Sequence, residues 1–260
     1  GGSDFPLARQ EGANIEVGLL AEHTFQKIGG AAYWLGCDDK GEKVVLTLEG
    51  YSPRRVSSHA LEEALAALGD VSDAYAFTYH KEGLTFYVLQ VPGLSTTWVY
   101  EVASGIWHER SDFENGEHIK WRATCHAVAY GKHIVGDADG NLYELTHTAK
   151  ANGTGILARD RITSGNATPT LERMRFGSMQ IDCDTGEGLP SGFAAKLLLR
   201  YSDDGGHHWS DWREIGLGNV GQYNARARAT RLGSSRNRVW QIRVTDPVTC
   251  NLISAVINEQ

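Results

Sequence analysis

Four times before residue 147, two runs rich in β-branched and aromatic residues flank a short polar turn ending in Gly. Tyr33–Cys37 and Glu42–Leu48 flank Asp38-Asp39-Lys40-Gly41. Ala74–His80 and Leu84–Val91 flank Lys81-Glu82-Gly83. Thr97–Val102 and Ile106–Arg110 flank Ala103-Ser104-Gly105. His133–Asp137 and Asn141–Thr146 flank Ala138-Asp139-Gly140. A Gly closing a short turn takes the positive φ that most L-residues avoid, so each unit reads as a β-hairpin. The hairpins recur at about the 40–45-residue spacing of propeller blades. Three blades are expected, over roughly 21–52, 72–112 and 119–163. Closing a propeller takes about four or more, so this stretch by itself leaves the ring open.

One helix interrupts the strands, near 58–68. Ser57 or Ser58 caps it, Glu62 and Glu63 suit the positive end of its dipole, and Gly69 suits its stop. Leu61, Ala64, Leu65 and Leu68 share one face. Residues 164–170 (Ser-Gly-Asn-Ala-Thr-Pro-Thr) read as a linker. Longer strands follow over about 171–183, 194–202, 208–215, 222–231, 236–245 and 250–257, which fit a small β-sandwich or two further blades. The expected organisation is all-β: lead-in over 1–20, propeller-like blades over 21–164, and a C-terminal β domain over 165–260. Gly1-Gly2-Ser3 reads as a cloning scar, and the missing initiator Met makes a piece of a longer protein the expectation.

Composition removes several classes of function. With 41% hydrophobic and 22% charged residues the chain is no disordered tail. No apolar run approaches the roughly 18 residues that a membrane helix needs. The four Cys, at 37, 125, 183 and 250, are far apart and form no CxxC. Scattered buried thiols in a reducing compartment are expected, with no disulfide framework, no zinc site and no cofactor.

Local motifs read as turns. Ser202-Asp203-Asp204-Gly205-Gly206-His207-His208-Trp209 fits the Asp-box pattern of sialidase-type propellers, with His208 where Thr is usual. There the Asp ties backbone amides inside a hairpin and the Trp packs beneath it, which gives Ser202, Asp204, Gly206 and Trp209 a structural role. An enzyme would need an arginine cluster, a nucleophilic Tyr and an acid–base Asp, and no spacing here fixes Tyr201 or the later Arg in those places. Asp137-Ala138-Asp139-Gly140-Asn141 and Asp38-Asp39-Lys40-Gly41-Glu42 begin like calcium loops. Counting twelve positions gives Thr148 for the first and, for the second, Glu49 in a strand-like run without intervening ligands, so hairpin turns account for both. His207 and His208 are adjacent and face apart. His23, His80, His108, His126 and His133 lie in or beside strands. Gly216-x-Gly218-x-x-Gly221 lacks the helix a phosphate site requires.

Charge marks one segment. Residues 221–245 hold six Arg and no Asp or Glu, in a chain of net charge −7. Arg226 and Arg228 are two apart on one strand, as are Arg236 and Arg238 on the next. A hairpin turning at Leu232-Gly233-Ser234-Ser235 would gather the four into a ladder. Like charges gathered in this way repel, so an interface with an acidic protein partner is expected. The aromatics of a single-strand nucleic-acid binder are not interleaved.

The runs Gly50-Tyr51-Ser52-Pro53-Arg54-Arg55-Val56-Ser57-Ser58-His59-Ala60, Thr97-Trp98-Val99-Tyr100, Trp107-His108-Glu109-Arg110 and Val135-Gly136-Asp137 resemble the tail-hub, or packaged-DNA-stabilisation, proteins of short-tailed phages related to the Salmonella podovirus. Tyr201–Trp209, Arg231–Val239 and Thr245-Asp246-Pro247-Val248 are similar to the same family's C-terminal half. The resemblance covers about residues 5–258. It implies a non-enzymatic virion structural protein, made in the host bacterial cytoplasm and resident in the tail. Such a protein joins the portal and adaptor to the distal tail and helps retain packaged DNA. It implies a homo-oligomeric ring in the full-length protein, contact with other tail proteins, indirect contact with packaged DNA, no membrane, and no catalytic residue to carry over. Members of the family are nearly twice this length. The alternative is a sialidase-like propeller that binds or cleaves glycans.

Overall fold

A computed structural model describes residues 15, 17–184, 194–218 and 224–259. Most of the lead-in expected over 1–20, and Gly221 of the glycine-rich match, lie outside them. Two compact units emerge, one formed by residues 1–112 and 116–145, the other by 113–115 and 146–260.

The first unit is built from three antiparallel sheets. In the first, β3 (Ala31–Cys37) pairs with β4 (Lys43–Glu49), and β4 with β5 (Ser52–Arg55). The other edge of β3 takes both β1 (Gly18–Leu19) and β2 (Gln26–Ile28). The second runs β10 (Glu117–Lys120), β9 (Ile106–Glu114), β8 (Thr97–Glu101), β7 (Leu84–Gln90), β6 (Tyr75–Lys81). The third has three strands, β11 (Cys125–Ala129), β12 (Lys132–Gly136) and β13 (Leu142–Glu144). All four predicted hairpins form, and Gly41, Gly83, Gly105 and Gly140 each take a positive φ. Strand β3 is buried on both faces, because Tyr33 and Leu35 enter one apolar cluster while Trp34 enters another. Helix α1 (His59–Ala66) follows the first sheet. Ser58 is its N-cap, its Oγ accepting the Leu61 amide, and Leu61 and Leu65 are buried. Glu62 turns back to accept from Ser57 and from the Arg55 guanidinium, which holds its carboxyl below the usual range.

The second unit is a sandwich of two sheets over one core. One sheet runs β14 (Arg159–Ile162), β21 (Asn237–Val244), β17 (Lys196–Ser202), β18 (Arg213–Gly216), and β15 (Asn166–Ala167) also pairs with β21. The other is centred on β16 (Met174–Asp184). It pairs with β19 (Asn224–Thr230), with β20 (Ser234–Ser235) and with β22 (Asn251–Glu259). Period-two patterning sends Met179, Ile181, Cys183, Ala227 and Ala229 inward against Leu197, Leu199, Trp240 and Ile242. Among the described residues β22 pairs only with β16, and it leaves Ile253 and Val256 exposed.

Two expectations are corrected here. The strand at 159–162, assigned to the third blade, hydrogen bonds to β21 in the sandwich. Register explains the choice, since it sets Asp160 opposite Arg243. The stretch 208–215 is a strand only from Arg213, the preceding residues looping over β17 through Ser210 N–H to Tyr201 O and Tyr201 N–H to Ser210 Oγ.

Candidate functional site

Three turns share one device, a short polar side chain accepting amides two and four residues ahead. Asp38 Oδ1 accepts from the amides of Lys40 and Glu42 at 3.0 and 2.8 Å. Asp137 Oδ1 does the same for Asp139 and Asn141 at 3.0 and 2.7 Å. In the Asp-box segment Ser202 Oγ takes this role for Asp204 and Gly206, at 3.4 and 2.8 Å. The Ser202 hydroxyl also donates to Asp204 Oδ1, which in turn accepts the His208 amide at 2.9 Å. Asp204 Oδ2 lies 2.6 Å from His208 Nδ1, so the His that replaces Thr adds a bond to the same carboxylate. These bonds, the His208 amide first, hold the Asp204 carboxyl well below the usual carboxylate range. The tied amides lie at the surface, and His208 is exposed. The turn therefore shapes the loop without burying charge.

What the turn presents is an alternating stack. The Arg200 guanidinium lies 4.7 Å from the Trp209 ring and 4.3 Å from the Trp212 ring, and Arg243 lies 4.9 Å from Trp212 on the next rung. A polar relay backs it: Arg200 Nε donates to Gln241 Oε1 at 2.7 Å, and Gln241 Nε2 to Asp160 Oδ2 at 2.7 Å. Arg243 Nε and Nη2 grip Asp160 at 2.8 and 2.7 Å. Delocalised guanidinium on an aromatic face is favourable for both partners.

The four arginines read as one ladder are not one. Strands β19 and β21 lie in different sheets, so Arg226 and Arg228 are separated from Arg238, and Arg236 falls in the link between β20 and β21. Arg238 is 2% exposed, its guanidinium 3.8 Å from the Tyr201 ring. It donates to both oxygens of Asp203, at 2.5 and 2.7 Å, and to Leu232 O. The carboxylate that neutralises it comes from within the Asp-box turn. Tyr201, weighed above as a nucleophile, is a platform for this cation. Arg226, Arg228 and Arg236 are exposed. Arg226 stands opposite Asp182 on β16, while Arg228 faces Gln180 and reaches Ser178 Oγ at 3.5 Å.

No group of three or more His, Cys, Asp or Glu among the described residues is placed to hold a metal ion. Among the described residues no helix is long and apolar enough to cross a membrane. The stack and the Asp160 relay escaped the sequence reading. The only local signal was the spacing Trp209-Ser210-Asp211-Trp212, which puts two indoles within one loop.

Comparison with known proteins gives two successive family matches. Residues 1–150 match the family described as "Bacteriophage P22 Gp10, beta-propeller". Residues 167–259 match "Bacteriophage P22 Gp10, beta-sandwich". No curated protein matches. Among solved structures, a glycoside hydrolase family 43 arabinoxylan arabinofuranohydrolase from Bacillus subtilis, in complex with cellotetraose, is 10% identical, with a TM-score of 0.29. The alignment covers 91% of this chain and 53% of that one, so the chain spans about half that protein's length. A second, titled glycoside hydrolase, is 9% identical over 87% of this chain and 70% of its own, with a TM-score of 0.22. Neither likeness carries a functional argument. The order of blades then sandwich along the chain is the order of the two matches, and the chain belongs to the bacteriophage P22 Gp10 family.

Proposed function

We propose that this chain is a structural protein of a phage tail hub that joins the portal and adaptor to the distal tail and helps retain packaged DNA. The observation that carries the reading is the succession of two family matches over nearly the whole chain, on a fold with the same two parts. Its work is mechanical, done by surfaces and not by turnover, and its place is the virion. The partners are other tail and adaptor proteins and, in the full-length protein, further copies in a ring.

Within that reading, Arg226 and Arg228 are the best-placed docking charges. Both project from the outward face of β19, with Arg236 exposed nearby in sequence. Bidentate pairing with carboxylates of a neighbour fixes register as well as affinity. Arg238 drops out of the proposed interface, because its charge is spent on Asp203.

The test is assembly. Arg226→Glu combined with Arg228→Glu should leave the circular dichroism and melting of the chain unchanged and lower its incorporation onto purified portal–adaptor complexes by tenfold or more, on the order of 1.4 kcal/mol or above. Normal assembly of the double variant would remove these residues from the interface. Cleavage of fluorogenic sialosides or other glycans by the wild-type chain would instead favour the glycan-processing alternative.

A further inference from the structure

An open recess of about 400 Å³ lies on the sheet centred on β16, lined by Arg175, Phe176, Gly177, Thr230, Arg231 and Gly233. Two stretches form it, the start of β16 and the turn that carries the chain from β19 to β20. Three backbone bonds stitch the turn to the strand: Phe176 N–H to Gly233 O at 2.8 Å, Arg231 N–H to Gly177 O at 3.0 Å and Leu232 N–H to Phe176 O at 3.2 Å. No Asp or Glu is among the lining residues.

The carbonyl oxygens of a turn carry its partial negative charge, and here all four from Thr230 to Gly233 are engaged. Thr230 O and Arg231 O accept from Arg213 Nη1 at 3.2 and 3.4 Å. Leu232 O accepts from the buried Arg238, and Gly233 O from the Phe176 amide. Guanidinium therefore covers three of the four oxygens, and the turn offers the recess little negative charge to set against its arginines.

The arginines themselves are placed at some cost. Arg231 holds φ at 57°, a left-handed conformation that Gly, Asn or Asp takes more easily. An arginine kept at such a position points to a use for its side chain. Arg175, on the facing strand, projects away from the core that its neighbour Phe176 enters. Neither Arg175 nor Arg231 is paired with a carboxylate among the described residues. Arg173 adds a further charge beside them: its Nε donates at 3.0 Å to the hydroxyl of Ser234, the residue opposite Arg175.

We propose that this recess binds a doubly charged phosphate group, gripped by Arg175 and Arg231 and attracted by Arg173 and Arg213. A carboxylate brings one charge and two oxygens. A phosphate monoester brings about −1.5 to −2 at pH 7 and three acceptor oxygens, enough to engage two guanidinium forks at once. Stacking contributes nothing to recognition, since Phe176, the only ring in the lining, is 1% exposed. The recess therefore reads the phosphate and not the body that carries it. Inorganic phosphate and the terminal phosphate of an ester offer the same chemistry. The inference is independent of the tail-hub reading and of Arg226 and Arg228.

The experiment is calorimetric titration of the full chain at about pH 7.5 and constant low ionic strength, with four probes: inorganic phosphate, glycerol 3-phosphate, dimethyl phosphate and acetate. The two dianions should saturate one site and bind at least tenfold more tightly than the two monoanions. Glycerol 3-phosphate binding above inorganic phosphate identifies an esterified phosphate as the ligand, and the reverse order identifies the free ion. Arg175→Gln should weaken phosphate binding tenfold or more. Arg231→Gly should do the same while melting no lower than the wild type, because glycine relieves the left-handed backbone. Arg161→Gln, exposed on β14 in the other sheet, should bind as the wild type does. The proposal is overturned if phosphate shows no saturable binding in the millimolar range, if monoanions bind as well as dianions, or if Arg175→Gln or Arg231→Gly keeps wild-type affinity. It is equally overturned if Arg161→Gln weakens binding as much as they do, which would reduce the effect to net charge.

Discussion

The inner charges of the sandwich show how a residue's meaning depends on partners that sequence proximity hides. Arg238 and Arg243 belong to a stretch without a single acid, yet each holds a carboxylate with two nitrogens. Those carboxylates, Asp203 and Asp160, lie 35 and 83 residues away. The turn residues were legible for the opposite reason: Asp38, Asp137 and Ser202 bond to amides no more than four positions on. The His126–His133 pair in the third sheet was likewise invisible as a pair. Its ring nitrogens lie 3.0 Å apart, with His126 stacked on Phe77 and tilted against Tyr79. Burial pushes the His126 imidazole below its ordinary value, the neighbouring His133 adds to the effect, and the Thr78 backbone opposes it. A base whose folded pKa is depressed binds its proton more readily in the unfolded chain. Stability is therefore full above about pH 6.5 and declines as pH falls below it. The urea midpoint of the full chain should fall between about pH 7 and 5, and His126→Phe should flatten that slope. An unchanged slope in the variant would assign the pH dependence to other groups.

Strand order, more than strand existence, is where elements depart from the pattern reading. Alternation and turn chemistry located nearly every long strand, because both are local. They gave no hint that β19 and β21, successive long strands, would join different sheets. That outcome is set by which face Ala227 and Ala229 must bury, and their partners are Met179 and Ile181 on β16. Close approach at the first sheet gives a sharper test of element packing. A Cβ on Gly36 would stand 2.5 Å from Gly18 O, 2.8 Å from Trp34 Nε1 and 2.9 Å from Leu46 Cδ1. Only a residue without a side chain lets β1 lie against β3 there. Gly36→Ala should cost about 1–3 kcal/mol and speed hydrogen exchange at the Leu20 amide, which bonds Leu35 O at 3.0 Å. Exchange unchanged at Leu20 would mean that β3 yields and β1 stays.

At the scale of the molecule, the polar linker at 164–170 looked like the seam, and the hydrogen bonds place part of the sandwich before it. Strand β14 supplies Asp160 to Arg243, and Thr163 next to it satisfies both the amide and the carbonyl of Trp240. A chain beginning at 165 would keep the buried Arg243 and lose its carboxylate, a loss of about 3–5 kcal/mol. Residues 146–260 should melt cooperatively as an isolated fragment, while 165–260 should show no cooperative transition by near-ultraviolet circular dichroism. Equal melting of the two would make β14 an accessory strand. Composition could not reveal this, since Ser, Gly and Pro mark where the chain is polar and not where its bonds go. The final strand, β22, brings a cost of another kind. Its nine residues carry no Pro, Lys or Arg, and one row of its backbone groups meets no strand of its own chain among the described residues. Such a row pairs readily with any extended backbone that comes near. The colloidal behaviour of the free protein therefore rests on this border, and mutation toward greasier residues there would be purged for stickiness before it harmed the fold.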